Sequence, residues 1–190
     1  MRTFIAIDLP QSVKDNISRM QNRLKRSGAD VSWVSPANMH LTLKFLGDID
    51  EAAAKAIAGA IRDIAARTCD FTMQLGPIGA FPGFKSPRII WIGLTKGHEQ
   101  TKAIAAQIES RIEQYGIGRE TRPFASHITI GRVRSKKNIS QLTDGIGAAD
   151  TQRDAAIEEF KAGKITFFKS TLTPQGPVYE KLQETSLKTA

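Results

Sequence analysis

The sequence predicts an α/β fold of the α+β type, with two mixed or antiparallel sheets and helices on their outer faces. Strand-like and helix-like segments alternate along the 190 residues, and the order β-α-β-β-α occurs roughly twice. A pattern of histidine, aliphatic, threonine and aliphatic occurs once in each half, at residues 40–43 and 127–130, so its histidines lie 87 positions apart. These observations predict one internally duplicated, two-lobed domain over residues 1–190.

The first half begins with a strand in RTFIAIDL, and a helix follows it. Pro10 suits the first turn of that helix and Gly28 ends it. The buried side of the helix is marked by apolar residues at helical spacing, at Val13, Ile17, Met20 and Leu24. The opposite face carries cations, at Lys14, Arg19, Arg23 and Arg26.

Two more strands and a second helix complete the first half. The strands VSWV and HLTLKFL meet at a turn, and Asp50 caps the helix. The second half has a similar rhythm, with strands in FTMQL and RIIWIGL, a helix from about His98 to Tyr115, the strand SHITIGRV, a weakly helical region from about Lys136 to Glu159, and strands in AGKITFFKSTL and VYEKLQETSL.

Composition and charge narrow the class of protein. The chain has 27 basic and 19 acidic residues, a net charge of +8, which favours polyanionic partners such as RNA. Asp8 interrupts the short apolar run at the N-terminus, so this run predicts a strand rather than a signal peptide. No stretch is long and apolar enough for a membrane span, and the lone Cys69 excludes an internal disulfide. We therefore expect a cytoplasmic protein.

The repeated motif predicts a pair of chemically active faces. Side chains alternate along a strand, so His40 and Thr42 share one face, as do His127 and Thr129, while the aliphatic residues face the core. The histidine and threonine of each strand lie about 6.6 Å apart. Imidazole titrates near neutral pH, so one histidine could act as a base and the other as an acid. With hydroxyl donors beside them, the two pairs could hold a tetrahedral phosphate.

Two other interpretations of the histidines remain open. A single histidine in a strand is most often structural, and duplication could copy a structural motif as well as a functional one. Zinc binding would need further ligands, but the motifs supply none and the chain has no HExxH sequence. The third histidine, His98, lies in a polar turn and is most simply a surface residue.

The residues of both motifs resemble a known family. HLTLKFLG and HITIGRV are similar to the paired H-x-T-x motifs of the two-histidine phosphoesterases, and within them to the RNA 2′,3′-cyclic phosphodiesterases, also called 2′-5′ RNA ligases. The likeness extends to the opening strand RTFIAIDLP and to the central strand in SPRIIWIGL. It also covers the closing segment FFKSTLTPQGPVYEKL, where the matching positions are Ser170, Pro174, Gly176 and Tyr179.

The resemblance implies a V-shaped cleft between pseudo-symmetric lobes and hydrolysis of a 2′,3′-cyclic phosphate to a 2′-phosphate. It implies no metal or other cofactor, and it allows reversible 2′-5′ joining of RNA ends. By matching motifs, His40 becomes the proton donor and His127 the proton acceptor, although the pseudo-symmetry of the sequence leaves their roles open. Thr42, Thr129 and Arg132 become phosphate-binding residues.

Further RNA contacts are expected around these residues. Lys44 follows the alternation of His40 and Thr42, Phe45 could stack a base or pack in the core, and Arg88 could line the rim of the cleft. Arg132 lies at an odd spacing from its histidine, so it faces the cleft only if the strand has a bulge, for which Gly131 is the candidate. Ser126 departs from the family, where many relatives have proline.

We expect a monomer that acts on RNA with a 2′,3′-cyclic phosphate end, tRNA fragments included, and that binds no membrane. One alternative is a phosphodiesterase for small cyclic nucleotides or 2′-5′ oligonucleotides. Another, of a different class, is a non-catalytic protein that only binds RNA ends.

Overall fold

The computed structural model describes residues 1–151, 159–174 and 176–189. Within these ranges, the chain forms nine strands, β1 Arg2–Asp8, β2 Val31–Trp33, β3 His40–Asp48, β4 Phe71–Phe81, β5 Ile89–Lys96, β6 Ile128–Val133, β7 Glu159–Ala162, β8 Lys164–Thr173 and β9 Gly176–Ser186. It also forms four α-helices, α1 Gln11–Lys25, α2 Glu51–Ala65, α3 His98–Ile112 and α4 Ile139–Thr151. The predicted α/β class is confirmed. The region from about Lys136 to Glu159, expected to be weakly helical, contains α4. Residues 152–158 of that region lie outside the described ranges.

All the strands pair in antiparallel fashion, in the order β7-β4-β5-β6-β3-β1-β8-β9, with β2 added beside β6. The junction between β6 and β3 consists of one residue pair, Leu41 with Ile128. It divides the strands into a first half (β3, β1, β8, β9) and a second half (β6, β5, β4, β7), each with its histidine motif strand innermost. The closing strands β8 and β9, which chain order places with the second half, therefore complete the first.

Local sequence signals account for the helix ends. Asp50 accepts a hydrogen bond from the Ala53 backbone N–H at 2.7 Å and so caps α2. Helix α1 ends at Lys25, and a turn brings the chain to Gly28, whose φ of 66° lies in the left-handed region that glycine adopts freely. No helix among the described residues has the length and hydropathy needed to cross a membrane.

The aliphatic residues of both motifs lie in the hydrophobic core. Leu41, Leu43, Ile128 and Ile130 are at most 4% exposed, and they pack in one cluster with the apolar faces of the helices. Burial of each such side chain contributes about 1.5–3 kcal/mol. This burial fixes which face of each motif strand is left for the histidine and the threonine.

Candidate active site

The junction of the two halves brings the motifs together. Leu41 and Ile128 are direct partners, and each is the residue that follows a motif histidine. Extending this antiparallel register by one residue places His40 towards Thr129, across the junction. Burial is the main cause that lowers the pKa of His40, and a charge on His127 adds to the lowering, which also reflects the proximity of the two rings. The two histidines and two threonines thus surround one point on the sheet.

His40 is held in a defined orientation. Its Nδ1 lies 2.8 Å from the carbonyl oxygen of Asn38 and its Nε2 lies 3.0 Å from the hydroxyl of Thr42. A carbonyl only accepts, so Nδ1 carries a proton and Nε2 of the neutral ring accepts from Thr42. The ring stacks on Phe4 at 4.7 Å and meets the edge of Tyr179 at 5.4 Å. Its Nε2 is therefore the atom that can exchange a proton.

His127 is oriented in the same way. Its Nδ1 lies 2.7 Å from the carbonyl oxygen of Ala125, again two residues earlier, so its Nε2 also faces away from the backbone. Its ring meets Phe81 edge-on at 5.3 Å and Trp91 at 6.3 Å. The indole of Trp91 lies against Gly79, where any side chain would overlap it.

A bulge in β3 changes which residues share the face of His40. Two successive residues of β1 pair with Thr42 and Lys44, so Leu43 between them is an extra residue in β3. The alternation shifts by one position after this bulge. Phe45 consequently lies on the exposed side, 64% accessible, with its ring centroid 6.1 Å from that of Phe4.

The same bulge corrects the expectation for Lys44. Its side chain is 7% exposed, on the face opposite to His40. Its Nζ donates to Glu109 Oε1 at 2.8 Å and to the carbonyl of Gly118 at 2.9 Å. The prediction that Lys44 shares the face of His40 and contacts RNA is therefore wrong.

A second bulge occurs at the matching position of β6. Gly131 and Thr129 pair with successive residues of β5, so Ile130, three residues after the histidine as Leu43 is in β3, is the extra one. Gly131 is not the bulged residue, and a Cβ there would lie 2.8 Å from Val31 Cγ1. Arg132 is turned to the exposed side by this bulge.

Arg132 lies close enough to His40 for its charge to act on a side chain that contacts this histidine. Burial raises the pKa of the Tyr179 phenol, while the charges of Arg132 and Arg2 act to lower it. Tyr179 touches His40, so Arg132 acts on the same space as the histidine. Arg88 is also exposed, one residue before Ile89, the β5 partner of Arg132.

A charged cluster beside His40 was missed by sequence reasoning. Asp8 is the β1 partner of His40, and its carboxylate accepts from Lys14 at 2.7 Å and from Lys181 at 2.8 Å. Lys14 is 8% exposed, so its assignment to the outward face of α1 was wrong. Burial raises the pKa of Asp8, but its bonds to the two lysines outweigh this and lower it overall. The one signal was a carboxylate interrupting an apolar strand.

The surroundings of His40 favour its neutral form. Burial is the largest cause and lowers its pKa from 6.5 to about 4; the carbonyl of Asn38 and the charge of Asp8 act in the opposite direction. The charge of Lys14 adds to the lowering. In the free protein at pH 7, His40 therefore carries no charge.

The described side chains do not support metal binding at the candidate site. Among the residues that the structure describes, no three histidine, cysteine, aspartate or glutamate side chains are grouped so that they could hold a metal ion.

Known proteins resemble this chain along most of its length. It is 36% identical to the RNA 2′,3′-cyclic phosphodiesterase of Methanocaldococcus jannaschii over 184 residues, 97% of this chain and 99% of the relative. It is 34% identical to the protein of the same name from Thermotoga maritima over 185 residues, 97% of this chain and 94% of the relative.

Solved structures share the fold. The crystal structure of TT0787 of Thermus thermophilus matches with a TM-score of 0.80 at 24% identity, over 100% of this chain and 99% of that one. Escherichia coli LigT complexed with 3′-AMP matches with a TM-score of 0.77 at 23% identity, over 98% and 97% of the two chains. The family model of the LigT-like phosphoesterases matches twice, at residues 7–91 and 92–179. With both motif strands in place within these matches, the chain belongs to the LigT-like phosphoesterase family.

Proposed function

We propose that this protein hydrolyses the 2′,3′-cyclic phosphate end of an RNA to a 2′-phosphate. The observation that carries the proposal is the pairing of Leu41 with Ile128, which sets the two motifs around one point. Each histidine has its Nδ1 bonded to a carbonyl, which leaves each Nε2 for proton transfer. The relatives named RNA 2′,3′-cyclic phosphodiesterase and the net charge of +8 support RNA as the substrate class.

In the proposed reaction, a water molecule attacks the phosphorus atom and the bond from phosphorus to O3′ breaks. His127 Nε2 takes the proton from the water, and His40 Nε2 gives a proton to O3′, so the products are a 2′-phosphate and a free 3′-hydroxyl. Thr42, Thr129 and Arg132 stabilise the charge on the non-bridging oxygens. The two imidazoles supply both proton transfers, and the proposed reaction uses no metal or other cofactor.

The neutral state of free His40 constrains this assignment. A proton donor must be charged before the reaction, whereas burial lowers the pKa of His40 to about 4. A bound phosphate anion favours the imidazolium, because an opposite charge at contact distance raises the pKa of a histidine. We therefore propose that His40 takes up its proton as the substrate binds. The reverse assignment, with His40 as the base, is favoured only by its state in the free protein.

The same chemistry extends to ligation. If a 5′-hydroxyl replaces the attacking water, the product is a 2′-5′ linkage, and reversal restores the cyclic phosphate. Small cyclic nucleotides and 2′-5′ oligonucleotides remain alternative substrates, and a protein that only binds RNA ends remains the non-catalytic alternative. The single duplicated domain, the monomeric state and the cytoplasmic location stay predictions.

A product assay tests the proposal. A short RNA with a 2′,3′-cyclic phosphate end is incubated with the protein and an excess of chelator, and the product is resolved against 2′- and 3′-phosphate standards. We expect the 2′-phosphate to accumulate with the wild type. A 3′-phosphate product, or binding of the RNA without turnover, would contradict the proposal.

A further inference from the structure

The two ends of the candidate site carry surface segments of different chemistry. The loop between β4 and β5, PGFKSPR at residues 82–88, contains two cations and an exposed aromatic ring but no acidic residue. Phe84 in this loop is 46% exposed. The turn between β8 and β9 lies in TLTPQGPV, residues 171–178, which contains no charged residue. Among its described residues, the large exposed hydrophobic side chains are aliphatic, Leu172 at 66% and Val178 at 57%.

The sheet register places the β4–β5 loop directly beyond the site. Phe81, Ile89 and Arg132 are paired neighbours on three adjacent strands, so their side chains share one face. Phe81 meets the ring of His127 at 5.3 Å, and the loop begins at the next residue. The loop ends at Arg88, whose carbonyl accepts from the backbone N–H of Val133 at 2.9 Å. The loop thus adjoins both His127 and Arg132.

The cations on the two sides differ in their partners. The three lysines of β8 and β9 face carboxylates, with Lys164 at 3.6 Å from Glu184, Lys169 at 3.4 Å from Glu180 and Lys181 at 2.8 Å from Asp8. Within the described residues, neither Lys85 nor Arg88 forms an ion pair or a side-chain hydrogen bond. The loop of the second half therefore presents two unpaired cations beside the site, whereas the lysines of β8 and β9 are neutralised by carboxylates.

We propose that the β4–β5 loop binds the nucleotide that precedes the terminal one, so that the RNA chain leaves the site over the second half. Phe84 stacks on the base of that nucleotide, and Lys85 and Arg88 contact its phosphate. This inference rests on the proposed function, because it takes the terminal cyclic phosphate to lie between His40 and His127. An exposed ring beside unpaired cations matches a single-stranded nucleic acid, which offers bases and phosphates in alternation.

The test compares two substrates that share the same reacting group. Cytidine 2′,3′-cyclic phosphate fills only the terminal position, whereas a pentaribonucleotide ending in the same cyclic phosphate also reaches the loop. We expect Phe84→Ala to lower kcat/KM for the pentamer about tenfold and to leave the mononucleotide unchanged. Phe84→Trp should retain the activity on the pentamer, since the larger ring stacks as well.

The charge contacts have their own readout. The double variant Lys85→Ala/Arg88→Ala should flatten the decline of pentamer kcat/KM with salt, because each phosphate contact contributes a slope of roughly −0.7 in log–log form for a single strand. Lys169→Ala on the first half is the matched control and should keep the slope. Leu172→Ala and Val178→Ala are the controls for Phe84→Ala and should keep the pentamer rate.

The outcomes separate this inference from the function on which it rests. If the wild type converts neither substrate, the proposed function fails. If it converts both and Phe84→Ala slows them equally, or the Leu172→Ala and Val178→Ala variants cause the larger loss on the pentamer, the loop does not hold the preceding nucleotide and the inference alone is overturned.

Discussion

The two halves carry the same motif, but the segments that precede the two histidines are held by different interactions. The segment before His40 includes β2, which pairs with β6 of the other half from Val31 to Trp33. The segment before His127 forms no such strand, and side chains hold it instead. Lys44 binds the carbonyl of Gly118, and Glu109 accepts from the backbone N–H of Glu120 at 2.9 Å. The segment before His40 is thus held by backbone pairing, and the segment before His127 is held by the buried Lys44–Glu109 ion pair.

The neighbours of the two histidines also differ. Asp8, with Lys14 and Lys181, forms a charged cluster beside His40. Close to His127, the hydroxyl of Ser126 lies 2.6 Å from that of Thr101, and this pair carries no charge. The motif is repeated, but the groups beside its two histidines are not, because charged side chains adjoin His40 and an uncharged hydroxyl pair adjoins His127.

Replacement of the histidines should have the largest effect. His40→Gln and His127→Gln should each lower kcat for the cyclic-phosphate RNA by about 10²–10⁴-fold, since each removes a proton-transfer group. If the roles divide as proposed, the profile of kcat against pH loses its alkaline limb in His40→Gln and its acidic limb in His127→Gln. Loss of the opposite limbs would reverse the assignment, and wild-type rates would contradict both roles.

Removal of the buried Lys44–Glu109 ion pair should destabilise the segment before His127. Lys44→Met leaves the partly buried carboxylate of Glu109 without its cation, and the free energy of unfolding should fall by about 3 kcal/mol. Lys96→Met is the control, because its pair with Glu159 is exposed and should contribute below about 1 kcal/mol. Urea titrations of both variants measure the change in the free energy of unfolding. Equal losses of stability would show that the Lys44–Glu109 pair contributes no more than a surface ion pair.

The lowered pKa of His40 predicts a pH-dependent stability. The folded protein keeps this histidine neutral down to about pH 4, whereas the unfolded chain protonates it near 6.5. Stability from this residue is therefore complete above pH 6.5 and is lost as the pH falls towards 4. At pH 5 the loss should reach about 2 kcal/mol relative to pH 8.

The measurement compares unfolding of the wild type and His40→Gln at both pH values. The difference in stability between them should shrink on the acid side, because the variant has no imidazole to protonate at this position. A difference that stays constant from pH 8 to pH 5 would show that the folded protein protonates His40 as readily as the unfolded chain.

The hydroxyl pair beside His127 should have the smallest effect. Ser126→Ala removes one hydrogen bond to Thr101, which itself retains the carbonyl of His98 at 2.9 Å, so the cost should be about 1 kcal/mol. Ser12→Ala on the exposed side of α1 is the control and should change stability by less than about 0.5 kcal/mol. Thermal unfolding of the two variants would reveal whether the uncharged pair contributes at all.

The sequence predicted eight of the nine described strands, the helices and the paired motifs, because alternation and helical spacing are local signals. The short strand β7, Glu159–Ala162, was not predicted. The bulge in β3 was not predicted, and the one considered for β6 was placed at Gly131 instead of Ile130, since a bulge is defined by what lies opposite it on another strand. A trace is visible in β3, where the buried leucines Leu41, Leu43 and Leu46 change from odd to even positions. The pairing of Asp8 with Lys14 was missed because it requires the angle at which α1 leaves β1.

The single pair at the junction has a geometric consequence for substrate size. Leu41 and Ile128 join β3 to β6, both histidines adjoin this pair, and β2 adds a second connection between the halves where it pairs with β6. In any rocking of one half against the other, atoms near the pivot travel least and atoms far from it travel most. The reacting nitrogens lie beside the Leu41–Ile128 pair, so their spacing changes least in such a motion, and substrates of different bulk are accommodated without disturbing the chemistry.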